Sequence, residues 1–312
     1  MTDLPLACTV RECGLPLTRL ERSLCCPKGH SYDVARSGYI NLLQPQDRRS
    51  LHAGDSVAAV AARARLGDAG VGQHLVDALV ERIGGLDLGA VGVRAVDVNS
   101  AGLPSIDRSV DRSVDFSEGA VVVDLGSGSG ELMTALARAR PMRGIGIDLS
   151  TAAADHAARR TREVTWVVAN ADRRLPLLDQ SVDLVVSVNG RRNPAECARV
   201  LRPEGRLLVA VPAPDDLGEL RALVQGAATE RSRIDGVIAE HGPLFLAHDQ
   251  FSVRDARRLD PPALLDLLQG TYRGARVSNA DAIAALASMD VTLSSDVVLF
   301  VGPQSQRLCP RG

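Results

Sequence analysis

The sequence lacks long hydrophobic runs, a strong charge of either sign and most aromatic residues. Its 312 residues hold no long apolar stretch and no basic-then-apolar segment near the amino terminus, so we predict neither a membrane span nor a signal peptide. We therefore expect a protein of the cytoplasm. The formal net charge of −2 gives the molecule no general attraction to nucleic acid, so such binding must come from a local patch. Aromatic residues make up only 3%, which leaves no obvious platform for stacking bases.

Cysteine is also scarce, and its distribution is uneven. Four of the six cysteines fall between Cys8 and Cys26, and His30 follows. In a chain without a leader segment, this favours a metal site over a disulfide framework. The pairs Cys8-x4-Cys13 and Cys26-x3-His30 can close a tetrahedron around Zn2+, and a metal there replaces the core that so short a segment cannot build. Cys25 competes with Cys26 as a ligand, and the alternative is a set of reduced thiols without metal.

The stretch from Val121 to Glu131, VVVDLGSGSGE, carries the main motif of the chain. Its valines predict a buried parallel strand that ends in Asp124, and a glycine turn leads from there into a helical pattern. Strand, turn and helix form the nucleotide-binding corner of a doubly wound α/β sheet, where ligands lie beyond the carboxyl ends of the strands. We expect Gly126, Gly128 and Gly130 to let the backbone approach the ligand.

The residues after this turn indicate which nucleotide is bound. Glu131 stands where a dinucleotide fingerprint needs glycine, and the next strand, RGIGIDLS, ends in Asp148, placed to accept hydrogen bonds from two ribose hydroxyls. With the later Asn170–Asp172, this set resembles the S-adenosylmethionine (SAM) methyltransferases; a packing role or another nucleotide is the alternative. The resemblance implies that Asp172 reaches the adenine amino group and that Ala171 packs on the ring. The full set of implied cofactor contacts is Asp124, Gly126, Ser127, Gly128, Gly130, Asp148, Leu149, Ala171, Asp172 and Asn189.

Alternating strand and helix patterns predict a Rossmann-like α/β fold with a small zinc-binding module. We divide the chain into a zinc module at residues 1–47, a helical linker with a flexible insertion at 48–118, and a methyltransferase domain at 119–312. The linker holds two helices between Asp55 and Ile83, and its insertion contains DRSVDRSVD. Later segments are predicted as a strand at Ser181–Asn189, a turn at RPEG (202–205), a solvated helix face or an RNA entrance at Ser252–Asp260, and an edge or antiparallel strand at Val297–Val301.

The amino-terminal string is the most specific feature. CPKGHSYDVARSGYINLL, followed by GDS at Gly54–Ser56 and ARARLGDAG at Ala62–Gly70, resembles the RlmA/TlrB family of 23S rRNA guanine-N1 methyltransferases. This resemblance implies a Cys3His zinc module before a SAM domain, 23S rRNA as the partner, and a homodimer. The family's ligand pattern maps onto Cys8, Cys13, Cys26 and His30. The chain departs from the family in the longer first cysteine spacing, at Val71–Gly72 in place of His-Tyr, and at Arg191 in place of proline.

The leading interpretation is a SAM-dependent methyltransferase that modifies N1 of a guanine in a 23S rRNA hairpin. Guanine N1 carries a proton that must be removed, and no residue is recognisable as the base, so we predict no catalytic residue. Two alternatives remain: a small-molecule methyltransferase, and a SAM- or zinc-binding protein that has lost catalysis. The acidic balance, the scarce aromatics and the departures from the family favour the first alternative, whereas the amino-terminal string favours rRNA.

Overall fold

The computed structural model describes residues 4–45, 54–86, 119–226, 230–271, 283 and 287–302. These residues form a large eight-stranded sheet and a small three-stranded one. The predicted insertion lies outside the described residues from position 87 to position 118. Within the described part of the chain, every helix is too short or too polar to cross a bilayer.

The small sheet holds three short antiparallel strands, β1 (Thr18–Leu20), β2 (Ser23–Cys25) and β3 (Ser31–Asp33). In chain order, the remaining elements are β4 (Ile40–Asn41), α1 (Val57–Asp68), α2 (Gln73–Gly84), β5 (Val121–Leu125), α3 (Glu131–Ala139), β6 (Arg143–Asp148), α4 (Thr151–Arg160), β7 (Val164–Val168), β8 (Val182–Val188), α5 (Pro194–Val200), β9 (Leu201–Pro212), α6 (Gly218–Gln225), α7 (Ile234–His241), β10 (Leu246–Leu259), α8 (Pro261–Thr271) and β11 (Met289–Val301).

The large sheet has the strand order β10-β11-β9-β8-β5-β6-β7-β4. Strands β4 to β9 pair in parallel, while β11 pairs antiparallel with β9 and β10. The all-valine start of β5 is buried at every position, as a central parallel strand covered on both faces must be. Strand order reverses beside β5, so its neighbours β6 and β8 leave a crevice at the carboxyl edge, the usual ligand position in such sheets. The predicted Rossmann-like fold is confirmed.

Side chains alternate along β5 between two buried clusters, one on each face of the sheet. Val123 belongs to the cluster that includes Tyr32 and Ile40 from the amino-terminal module. Val122 belongs to the other, which includes Ile83 from α2 and Trp166 from β7. The module and the helix α2 therefore complete the core of the large sheet from opposite sides.

The amino-terminal module joins the large sheet through the backbone. Its strand β4 pairs with β7, with Ile40 opposite Val167, and Leu6 forms an antiparallel bridge with Leu177. Helix α1 packs against α4 and α8, and α2 packs against α3 and β10. The elements assigned to the module and the linker thus contact the methyltransferase domain directly, while the boundaries at 47 and 118 stay predictions.

Three predicted segments differ from the structure in part. Ser252–Asp260 lies in and just after the edge strand β10, so the helix alternative is wrong; its charged side chains are tolerated because one edge of β10 is unpaired within the described sheet. Val297–Val301 is antiparallel, as one alternative had it, but β11 lies inside the sheet. RPEG is not a separate turn. It forms an irregularity in β9, between the pairs Val182–Leu201 and Leu184–Arg206, because the chain inserts extra residues there without leaving the strand.

Candidate functional site

The four predicted zinc ligands come together in the amino-terminal module. A hydrogen bond from Gly14 N to Cys8 O (3.2 Å) closes the knuckle that carries Cys8 and Cys13. Cys26 and His30 flank the turn between β2 and β3, which a hydrogen bond from Cys26 N to His30 O (3.0 Å) holds closed. The ligand atoms of the four residues all lie within 4.8 Å of one another.

The distances within this cluster match a tetrahedral zinc site. His30 Nδ1 is 3.3 Å from Cys8 Sγ and 3.4 Å from Cys26 Sγ, and the sulfur atoms of Cys13 and Cys26 are 3.9 Å apart. A tetrahedron with Zn–S bonds of about 2.3 Å has sulfur–sulfur edges of about 3.8 Å. Cys25 faces elsewhere, with its thiol 3.4 Å from Ser31 Oγ. The donor set therefore fits zinc without Cys25.

The hydroxyl of Tyr32 supports the cluster from the side of Cys8. It lies 3.1 Å from Cys8 Sγ and accepts hydrogen bonds from the amides of Thr9 (3.1 Å) and Val10 (3.2 Å). Since the amides use the oxygen as acceptor, the hydroxyl proton is available to a Cys8 thiolate, as expected of a group that orients a metal ligand. Sequence analysis missed this residue, although it stands two positions after His30.

Burial and backbone amides act in opposite directions on two of the thiols. Burial raises the pKa of Cys8. Burial also opposes ionisation of Cys26, but the backbone amides of His30 and Lys28 outweigh it and lower the pKa of this thiol to about 7. Cys26 is thus prepared to serve as a thiolate near neutral pH, the form that binds metal.

The glycine turn after β5 is held close to the sheet. Gly126 N and Ser127 N both donate to Ile147 O, at 2.8 and 3.1 Å. A Cβ on Gly126 would lie 2.9 Å from Gly190 Cα, and one on Gly130 would lie 2.5 Å from Trp166 Cη2. These two glycines thus allow close packing within the protein, while the cofactor role predicted for them stays a prediction.

Gly128 is the glycine with space beside it. Its backbone has a φ of +54°, and the nearest atom to a Cβ would be Arg63 Nη1, at 3.7 Å. Its amide donates to Asp148 Oδ2 at 2.9 Å, while Ser150 N donates to Asp148 Oδ1 at 2.8 Å. Burial raises the pKa of Asp148, although these two amides and Arg63 oppose the shift. Asp148 therefore ties the turn to the start of α4, and a carboxylate with about four acceptor sites still has capacity for ligand hydroxyls.

Asp124, at the fourth position of β5, is buried beneath the turn. Its Oδ1 has no hydrogen-bond partner among the described residues. Burial, and then the charges of Asp148 and Glu131, raise the pKa of Asp124 to about 7. An unpartnered buried carboxylate is costly, and a cationic ligand would relieve that cost. This atom fits SAM, which carries an ammonium and a sulfonium.

The remaining predicted contacts follow the ends of all four central strands, β5 to β8. Asn170 is buried, and its side chain accepts a hydrogen bond from Asp172 N at 3.0 Å. Ala171 packs against the core cluster that includes the module, Leu149 is half-buried, and Ser127 is buried. Asn189 is exposed and has a φ of +53°. All the predicted cofactor contacts thus lie at the carboxyl ends of β5, β6, β7 and β8 or in the loops that follow these strands, at one edge of the sheet.

A pair of a half-buried arginine and a buried histidine close to Asn189 was not predicted from the sequence. Arg192 Nε donates to His241 Nε2 at 3.3 Å, and Arg192 Nη1 donates to Gly190 O at 3.2 Å. His241 is fully buried at the end of α7, where Nδ1 contacts Val237 O at 2.8 Å. Burial lowers the pKa of His241, so the ring is a neutral acceptor for Arg192. The pair joins residues 49 positions apart, which no local pattern reveals.

A cavity of about 530 Å³ separates the zinc knuckle from the loop after β7. Its walls include the knuckle from Cys8 to Gly14 and the backbone around Asn170. Three arginines and one acid line it: Arg11, Arg173, Arg174 and Glu12. The cavity therefore extends from the zinc cluster to the sheet edge that carries the predicted cofactor contacts, and the charged residues of its wall are basic on balance.

Comparison with known proteins decides the family. Residues 7–51 match the family model of the RlmA amino-terminal zinc ribbon, and residues 122–205 match that of a methyltransferase domain. The chain is 36% identical, over 255 residues, to the 23S rRNA (guanine(748)-N(1))-methyltransferase of Streptomyces fradiae, covering 81% of this chain and 80% of that protein. It belongs to the 23S rRNA (guanine-N1) methyltransferases. This confirms the resemblance carried by the amino-terminal string, and with it a SAM-dependent methyltransferase with a zinc ribbon.

Two further members of the family are similar over much of their length. A candidate 23S rRNA (guanine-N(1)-)-methyltransferase of Micromonospora griseorubida is 36% identical, covering 69% of this chain and 68% of that protein. The candidate enzyme YxjB of Bacillus subtilis is 27% identical, covering 88% of this chain and 89% of that protein.

The structure shows the contacts made at the positions where this methyltransferase departs from its family. Arg191, in place of proline, donates to Asp172 Oδ2 at 2.5 Å and so links the loops after β7 and β8. Gly72 precedes α2 with a φ of +85°, and Val71 packs against the cluster of α6, α8 and β11 that includes Leu264. Val71 thus takes part in the packing of the junction between α1 and α2, and Gly72 supplies its left-handed backbone.

Proposed function

We propose that the enzyme transfers the methyl group of SAM to N1 of a guanine in a 23S rRNA hairpin. The observation that carries the proposal is the likeness to the Streptomyces fradiae enzyme, named for N1 of guanine 748, at 36% identity over 81% of the chain. That overlap is too long to lie within the SAM-binding fold alone. Since the fold alone serves many acceptors, the shared zinc ribbon is what favours rRNA.

We assign the cofactor to the sheet edge at which β5, β6, β7 and β8 end. When bound there, SAM supplies an electrophilic methyl group on a charged sulfur. Asp148 accepts hydrogen bonds from the ribose, Asp172 and Ala171 take the adenine, and Asp124 faces the cationic part. The turn residues Gly126, Ser127, Gly128 and Gly130, with Leu149 and Asn189, complete the lining. The unpartnered Asp124 Oδ1 is the observation that supports this placement.

Methyl transfer needs alignment of acceptor and donor more than a strong catalytic group. Asn189 and Gly190 begin the loop that faces the acceptor, and the His241–Arg192 pair fixes that loop through Gly190 O. The proton of guanine N1 must leave during the reaction. We assign no residue as its acceptor.

We assign the rRNA contact to the basic cavity between the zinc knuckle and the loop after β7. Arg11, Arg173 and Arg174 line it, and arginine forks suit RNA phosphates. Specific RNA recognition favours unpaired bases in loops, and the cavity leads from the module to the sheet edge. A hairpin bound by the module can thus present a nucleotide to the cofactor.

The remaining parts of the proposal concern assembly and place. We place the enzyme in the cytoplasm and expect it to act as a homodimer, as the resemblance to the family implies. Light scattering of the purified protein measures its molar mass in solution, and we expect that of a dimer. The mass of a monomer at micromolar concentration would contradict the homodimer.

The function is tested by mapping reverse-transcription stops on 23S rRNA. A methyl group at N1 blocks the Watson–Crick edge of guanine and halts the polymerase. We expect a stop at one guanine that disappears when the gene is deleted. Returning the wild-type gene should restore the stop, and returning the Asp148→Ala gene should not. The position that corresponds to guanine 748 is the first to inspect. Identical stop patterns with and without the gene would refute the rRNA assignment and favour a small-molecule acceptor.

A further inference from the structure

Helix α1 places one arginine over the open face of the glycine turn. The Nη1 atom of Arg63 would lie 3.7 Å from a Cβ on Gly128, the turn glycine with space beside it. The stem of Arg63 rests on α8, where a Cβ on Gly270 would lie 2.8 Å from Arg63 Cγ. Its Nη2 forms an ion pair with Asp55. Two independent contacts therefore fix the guanidinium beside the turn.

The guanidinium of Arg63 has donor capacity that the protein does not use. Its Nε is buried and has no hydrogen-bond partner among the described residues. The side chain is only 33% exposed, so the group is not a solvated surface arginine. A buried N–H without a partner costs about 1 to 3 kcal/mol, which a ligand group that accepts hydrogen bonds would recover.

The charges around the turn are of opposite sign on its two sides. Asp124 and Asp148 lie on the side of the sheet, both buried, with Glu131 at the start of α3. Arg63 lies on the side of α1, close enough to Asp148 to stabilise its charged form. The methionine part of SAM is a zwitterion, with one ammonium and one carboxylate. The acids can bind the ammonium, and the carboxylate then needs a cationic partner.

We propose that Arg63 binds the carboxylate of the methionine part of SAM, and that Asp55 holds Arg63 in position. A guanidinium fork matches a carboxylate in shape and charge. Asp55 reaches this place because Gly54 lies directly against the start of α4, where a Cβ on Gly54 would lie 2.6 Å from Ser150 N, and because Ser150 Oγ donates to Asp55 O at 2.7 Å. The inference rests on the assignment of SAM to the turn.

The test compares SAM with decarboxylated SAM, which keeps the ammonium and the sulfonium and lacks the carboxylate. Calorimetry measures both affinities for the full-length wild type and for Arg63→Met, which keeps the length of the stem and loses the charge. We expect the wild type to prefer SAM by about 10- to 100-fold, the range for a charge-assisted hydrogen bond. Arg63→Met should lose this preference through weaker SAM binding alone, with decarboxylated SAM bound as in wild type.

Two further variants separate a binding role from a structural one. Arg65→Met removes a neighbouring arginine whose Nη2 pairs with Asp266 at 2.5 Å, and it should keep the full preference. Arg63→Lys keeps the charge without the fork and should keep part of the preference for SAM. This variant also provides a test if Arg63→Met fails to fold. Equal weakening of both ligands, or an unchanged preference, would overturn the assignment of Arg63. Failure of wild type to bind either ligand would instead overturn the SAM site on which the inference rests.

Discussion

Two glycines of the same turn should respond to alanine in different ways. Gly130 has a φ of +87°, and its added Cβ would lie 2.5 Å from Trp166 Cη2 and 3.0 Å from Ala157 Cβ. Trp166 cannot retreat easily, since it is 1% exposed and its Nε1 donates to Thr161 O at 3.0 Å. A left-handed backbone costs alanine about 1 to 2 kcal/mol and overpacking about 1 to 3 kcal/mol more. We expect Gly130→Ala to lower the free energy of unfolding by about 2 to 5 kcal/mol.

Gly128→Ala should instead spare the fold and impair SAM binding. Its Cβ would have the side chain of Arg63 as nearest neighbour at 3.7 Å, so only the backbone term of about 1 to 2 kcal/mol remains. The methyl group would, however, project into the space that we assign to SAM. We expect the affinity for SAM to fall by roughly 10-fold or more, the effect of losing about 1.4 kcal/mol of binding energy.

Urea denaturation followed by circular dichroism gives the stability, and calorimetry gives the SAM affinity. Gly72→Ala is the matched control, because Gly72 has a φ of +85° with nothing within 4 Å of its Cβ position and lies outside the turn. It should show the backbone cost and normal SAM binding. Wild-type stability of Gly130→Ala would refute the packing argument, and normal SAM affinity of Gly128→Ala would refute the placement of the cofactor.

Three other changes test the remaining assignments. Tyr32→Phe removes the hydroxyl beside Cys8 and should weaken zinc binding by about 10- to 100-fold in chelator competition; unchanged zinc affinity would contradict its supporting role. Asp124 has a folded pKa of about 7, above its unfolded value near 4. Between about pH 4 and about pH 7, the folded state without ligand therefore holds a proton on Asp124 that the unfolded state has lost. Its contribution to stability is complete below about pH 4 and is lost as pH rises to about 7, and Asp124→Asn should flatten this pH dependence in urea denaturation. Asp148→Ala should abolish SAM binding in calorimetry, and wild-type affinity would contradict the ribose assignment.

Features that are local in sequence were predictable. The zinc cluster needs two short-spaced pairs, and the glycine turn follows directly from a run of valines, so both are visible in windows of about twenty residues. The amino-terminal string identified the family for the same reason. The packing role of Gly126 and Gly130 was not predictable, since the Cβ positions that would meet Trp166 or Gly190 depend on strands that come later in the chain.

Features that join distant segments were not predictable. Arg192 meets His241 from 49 positions away, and Arg63 reaches the turn across more than sixty. The edge strand β10 was missed because its charged residues, among them Arg254, leave no alternation of hydrophobic and polar residues. Its extended conformation is instead stabilised by pairing with β11, which local propensity does not reveal. Tertiary contacts thus decided what composition and spacing left open.

The backbone pairing between the amino-terminal module and the large sheet limits how these enzymes can be recombined. A chimera that takes its zinc ribbon from a relative must also take β4 in register with β7, and must keep the bridge between Leu6 and Leu177. A junction placed between the zinc ligands and β4 would separate Tyr32 from Ile40, which pack in the same buried cluster, and would divide the bridge between Val34 and Ile40. Exchange of target specificity by module swapping is therefore best attempted with a junction after residue 45, beyond the last strand of the module.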